Sequence, residues 1–199
     1  MSNTQSNNVK QPSSSEVDSW WKFALKFKKG NNSAFKNGIG ANFESVSNPH
    51  QPGNLYCLTC TAGNGGNDTQ PRKINKNSIG GKDVFVPVFV SIGKTPNDAD
   101  SDLGGNGSQN LIFELEDNSG QVQHPNTFEV DNQVNVNVSP DNEFDLPQGS
   151  QTVHTRNICA IIPNNEIGNI KKITFGGKGG RISPQNSAPF NTKVIYEIT

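Results

Sequence analysis

From residue 55 onward the apolar positions fall in short runs separated by clusters of glycine, asparagine, serine and proline. The runs are LYCLTCT (55–61), VFVPVFVSI (84–92), LIFELE (111–116), TFEV (127–130), QVNVNV (133–138), TVHT (152–155), ICAII (158–162), IKKITF (170–175) and KVIYEI (193–198). QVNVNV alternates strictly, with Val134, Val136 and Val138 on one side and Asn135 and Asn137 on the other, the pattern of a half-buried antiparallel strand. Pro87 cannot donate to a ladder, so its strand is at an edge or bulged there. This pattern predicts an all-β antiparallel sandwich, jelly-roll-like or immunoglobulin-like, with long loops over 62–81 and 95–109.

Upstream, DSWWKFALKFKK (18–29) fits two periods. As a strand, Trp21, Phe23, Leu25 and Phe27 share one face with Lys22, Ala24, Lys26 and Lys28 opposite, and as a helix it follows period 3.6. Trp20, Phe23, Ala24 and Phe27 form one stripe, and Lys22, Lys26 and Lys29 another. The serines and aspartate before it supply N-caps, and GNN after it supplies a stop. A short N-terminal helix lying on a sheet is therefore expected. An aromatic and basic helix can also lie at a membrane surface, but burial against the sandwich, with lysines reaching solvent, explains the same pattern. Residues 1–15 hold little apolar material and read as a disordered leader, which leaves 16–199 as one sandwich domain.

Composition sharpens this picture. There are 28 asparagines, 20 glycines and 12 prolines in 199 residues, a bias toward turns. The formal net charge of −1 gives no field that would draw a nucleic acid, so no such partner is expected. No apolar run reaches the length of a membrane-spanning helix, and the N-terminus has no apolar core of a signal peptide.

Candidate chemistry is sparse. Cys57 and Cys60 form a C-x-x-C within a strand-like run, with no helix start to activate a thiolate and only Cys159 left as a further sulfur ligand. Buried structural thiols are favoured over a disulfide or a metal site. In TPNDADSDLGGNG (95–107), Asp98, Asp100 and Asp102 alternate, and carboxylates so spaced can converge on calcium. Leu103 and Gln109 stand where an EF-hand needs glycine and glutamate, which leaves a looser calcium loop or a solvated hairpin tip. His50, His124 and His154 are scattered. In FGGKGGR (175–181) the glycines read as a mobile loop, whose Lys178 and Arg181 can meet an anionic ligand.

SWWKFAL (19–25), GGKDVFVPVF (80–89) and LPQGSQTVHT (146–155), with VIYEI (194–198) near the end, together resemble a group of uncharacterised bacterial β proteins, mostly exported. The group carries a W-W-x-[WF]-A-L opening, a G-K-x-x-F-x-P-V strand and a later P-x-G-x-x-x-[VI]. The resemblance implies one β domain with an N-terminal aromatic element and an extracytoplasmic setting, and it transfers no functional residue. The sequence points to a non-catalytic binding or assembly module that meets a glycan or protein through its long loops. The alternatives are a metal-dependent enzyme with a loop site of aspartates or histidines and, more weakly, a membrane-active protein.

Overall fold

A computed structural model describes residues 9–25, 52–60, 65–93, 110–138, 146–180 and 189–199. Helix α1 (Ser14–Ala24) starts in the segment expected to be disordered. The cause is a capping box: the Ser13 hydroxyl accepts from the Glu16 N–H, and the Glu16 carboxylate accepts from the Ser13 N–H at 2.7 Å. The chain is pinned earlier still, because Lys10 and Ile161 exchange both backbone hydrogen bonds, at 2.8 and 2.9 Å. The leader therefore does not extend to residue 15. Val17, Trp20, Trp21 and Ala24, at helical spacing, are all buried.

The strands form two sheets, as a sandwich requires. The first holds β1 (Leu55–Cys57), β4 (Asp83–Gly93) and β9 (Gly149–Ile162), with β7 (Phe128–Glu129) and β8 (Asn132–Val138) both along the far side of β9. The second runs β2 (Gly65–Asn67), β11 (Pro189–Ile198), β10 (Ile170–Gly180), β5 (Asn110–Asp117) and β6 (Val122–Gln123), and β3 (Arg72–Ile74) also pairs with β11. Short helices α2 (Lys76–Ile79) and α3 (Asn164–Ile167) lie in connections. Strand β4 approaches β5 and β10, so the two sheets meet along it. Their buried side chains form one core cluster.

The all-β sandwich agrees with the hydrophobic pattern, but the sheets are mixed. Strand β1 runs parallel to β4, and β2 and β3 run parallel to β11. The stretch 62–81, expected as a loop, carries these two edge strands and α2. TVHT and ICAII join in the 14-residue β9. Pro87 lies at a bulge, since the β4–β9 register shifts between Val86 and Phe89. Pairing of β4 with β1 has already ended at Phe85, so the missing proline donor orphans no neighbour. The glycine run also departs from expectation: Gly176–Gly180 belong to β10 and pair with β11. Gly176 has φ +146°, and a Cβ there would sit 2.1 Å from the Thr192 carbonyl oxygen. Glycine is required here for close approach of two backbones.

Candidate functional site

Three places concentrate polar side chains. The first is where the chain passes from one sheet to the other. After β1 has paired with β4, the Leu58 N–H still reaches the Phe85 carbonyl, at 3.0 Å. One residue on, the Thr59 N–H donates to the Tyr196 phenol of β11 at 3.0 Å, and that phenol donates to the Thr59 carbonyl at 3.1 Å. Arg72 closes the knot. Its Nη1 donates to the Thr59 hydroxyl (3.0 Å), while Nε and Nη2 fork onto the two Asp68 oxygens (2.8 and 3.2 Å). Asp68 Oδ2 also accepts from the Ile195 N–H at 3.1 Å. The guanidinium lies 5.6 Å from the Tyr196 ring centre, within reach of a cation–π contact.

Thr59, Arg72 and Tyr196 are each 0% exposed. Burial pushes the Tyr196 phenol up, against a smaller opposing pull from Arg72, so it stays protonated at neutral pH. A knot with every member sealed from solvent offers nothing to a diffusing substrate. Its role is to fix β3 and β11 against the chain crossing, and the fork geometry makes arginine, not lysine, the fitting residue.

The second place is the tryptophan clamp. Trp20 donates to the Leu58 carbonyl and Trp21 to the Asn157 side-chain oxygen, both at 2.8 Å. The two indoles meet edge-on with centres 4.9 Å apart, and Trp20 stacks on Phe85 at 6.0 Å. Both are 0% exposed, so the aromatic and basic segment presents no tryptophan to a bilayer. No described helix is long and apolar enough to cross a membrane.

The three cysteines are buried thiols, none in a disulfide. Burial pushes Cys60 and Cys159 each up to about 12, and Cys57 higher still. Thiols so far from ionising are poor nucleophiles and poor metal ligands. Among the described residues, no three His, Cys, Asp or Glu side chains gather as a metal site.

The third place is open to solvent. On the outward face of β8 and β9, Gln133 lies opposite His154, Asn135 opposite Thr152, and Asn137 opposite Ser150. The Thr152 hydroxyl donates to the Asn135 amide oxygen at 2.7 Å. An Arg156–Glu129 ion pair closes one end, with Nε to Oε1 at 2.7 Å. The three β8 amides, Ser150 and Thr152 are exposed, and His154 and Arg156 are half-buried. Alternation in QVNVNV marks this face, but its partner residues on β9 emerge only from the register.

Of the other expected ligands, none that the structure describes lies on this strip. Asp98, Asp100, Asp102, Arg181 and His50 lie outside the described residues. Lys178 is on β10 with its backbone opposite Asn110 and Asn191, in a strand where a loop was expected. His124 is exposed, in the connection between β6 and β7. Sequence reasoning missed the Asp68–Arg72–Tyr196 knot. The available signal was an acid and an arginine four apart beside two short runs, RKI and VIYEI, of strand-forming residues. Comparison with protein-family models, with curated proteins and with solved structures finds no match to this chain.

Proposed function

We propose that the chain is a non-catalytic recognition module that binds a hydrophilic ligand, a glycan first, on the outward face of β8 and β9. The observation that carries this reading is the strip of Gln133, Asn135, Asn137, Ser150, Thr152, His154 and Arg156, whose amides and hydroxyls stand in register on two long, hydrogen-bonded strands. Such groups both donate and accept, as sugar hydroxyls do, and a rigid sheet leaves only their side-chain rotamers to be ordered on binding. No tryptophan, tyrosine or phenylalanine lies on this strip, which predicts weak, hydrogen-bonded recognition strengthened by multivalency.

A glycan array probed with the purified protein tests the reading. Binding that falls on T152A and Q133A, with melting temperature unchanged, supports it. Silence across the array, or binding indifferent to both substitutions, overturns it.

A further inference from the structure

We propose that the outer edge of β8 is a self-association surface, on which a second copy of this chain adds its own β8 antiparallel to form one continuous sheet across a twofold axis. This inference is independent of the ligand reading above.

The argument starts from how the edges of the two sheets are protected. Exposed edge strands invite pairing, and proteins blunt them by shortness, charge, proline or bulges. The other described outer strands, β1, β2, β3, β6 and β7, are two or three residues long. Strand β8 has seven residues, Asn-Gln-Val-Asn-Val-Asn-Val, with no charge and no proline. It pairs along its whole length with β9 and without a register shift, so no bulge turns it aside. Among the described residues it has no strand on its other side.

The backbone groups on that edge follow from alternation. The Val130 N–H meets the Asn157 carbonyl at 2.9 Å, so Asn132, Val134, Val136 and Val138 also turn their backbone toward β9. Gln133, Asn135 and Asn137 therefore turn theirs outward. Helix α1 does not stand in the way. The Asn132 amide, on the same face as the buried valines, donates to the Ser14 carbonyl (3.0 Å) and the Asp18 carboxylate (2.6 Å), so the helix lies on that face and not beside the edge.

The occupant is chosen by self-complementarity. Full antiparallel overlap of two β8 strands centres on Asn135. Asn135 of one copy then faces Asn135 of the other, Gln133 faces Asn137, and Val134 faces Val136. All three outward-turned residues fall in hydrogen-bonded pairs, Val134 meets Val136 on the buried face with Asn132 opposite Val138 at the ends, and amide meets amide on the exposed one. No like charges oppose each other anywhere in the seven residues.

Sedimentation equilibrium across concentration, on the full chain, tests this. The unaltered chain is expected to form dimers. N135K and N135E each place like charges opposite one another, and each should weaken dimerisation by about tenfold. Mixing the two should restore it as a heterodimer. Asn135 is exposed, so circular dichroism should show both variants folded. Independently, N135C under mild oxidation should give a covalent dimer, whereas T152C, one strand inward, should not. The native thiols are buried and do not compete. A monomer at all concentrations, dimers unaffected by either charge, failure of the mixture to recover, or cross-linking equal at both positions would overturn the proposal.

Discussion

Trp21 and Asn157, 136 positions apart, form a buried hydrogen bond of 2.8 Å from the indole N–H to the side-chain oxygen. The Asn157 amide then donates to the Val130 carbonyl at 2.7 Å and the Thr155 hydroxyl at 3.0 Å. One side chain thus joins α1, β9 and the turn between β7 and β8. N157A removes a hydrogen-bond partner from three buried groups at once and should lower stability by roughly 2–4 kcal/mol in urea unfolding. A double-mutant cycle with W21F should show coupling of about 0.5–3 kcal/mol. Additive effects would mean that the bond contributes nothing of its own.

The Asp68–Arg72 pair should behave as a buried ion pair. R72M leaves a carboxylate without its fork and should cost about 3–5 kcal/mol, read from the denaturation midpoint. D68N combined with R72M removes the stranded charge and should recover part of that loss. A double variant no better than R72M alone would show that packing, not charge, is what the arginine provides.

The thiols set an alkaline limit. Cys60 titrates at 9.0 in the unfolded chain and at about 12 in the folded one, because burial disfavours its anion. Above pH 9 the unfolded state therefore binds fewer protons than the native state, and stability falls as pH rises. Each such thiol contributes a loss of about 1.4 kcal/mol per pH unit until the folded value is reached. Melting temperatures should drop steeply from pH 9 to 11, and C60A should make the slope shallower.

Residues 9–15 should matter for stability. S13A removes the cap and should cost about 1 kcal/mol. Deleting residues 1–15 also removes the Lys10–Asp83 ion pair (2.6 Å) and the Lys10–Ile161 bridge, and should lower the melting temperature further than S13A. Equal melting temperatures for the two variants would show that the segment before Ser13 adds nothing.

Gly176→Ala should destabilise by more than the few tenths of a kcal/mol usual for a surface change, because the Thr192 carbonyl occupies the space and φ is positive. Gly53→Ala, where nothing lies within 4 Å, is the matched control. Thermal unfolding of both variants decides the point.

What the sequence disclosed followed the range of the forces involved. The Val134–Val138 alternation and the stripe through Trp20 and Ala24 are local patterns, and each produced the element it predicted. Residues GGN and RKI became strands only because β11 lies alongside, a pairing across more than a hundred positions that no local period records. The capping box of Ser13 and Glu16 was readable but was outweighed by the polar composition around it. Asn157 was the one sign of the clamp: an amide inside the strand RNICAII must find partners, and a tryptophan N–H needs one too. The exposed strip was half legible, since alternation marks its β8 side and only the register adds β9.

Strand β11 follows every other described strand in chain order yet sits between β10 and the β2/β3 pair. A ribosome making this chain would therefore deliver the middle of the second sheet after the strands that flank it. Until then β2 and β3 have no strand to lie against, Asp68 lacks the Ile195 N–H, and the Thr59 hydroxyl lacks its phenol 137 positions downstream. Loop closure over such distances is slow, so the first sheet and its helix should be able to settle before the second. Any nascent fragment ending before residue 189 would carry the Arg72 guanidinium without the Tyr196 ring beside it, so this buried ion pair cannot be sealed until β11 has been made.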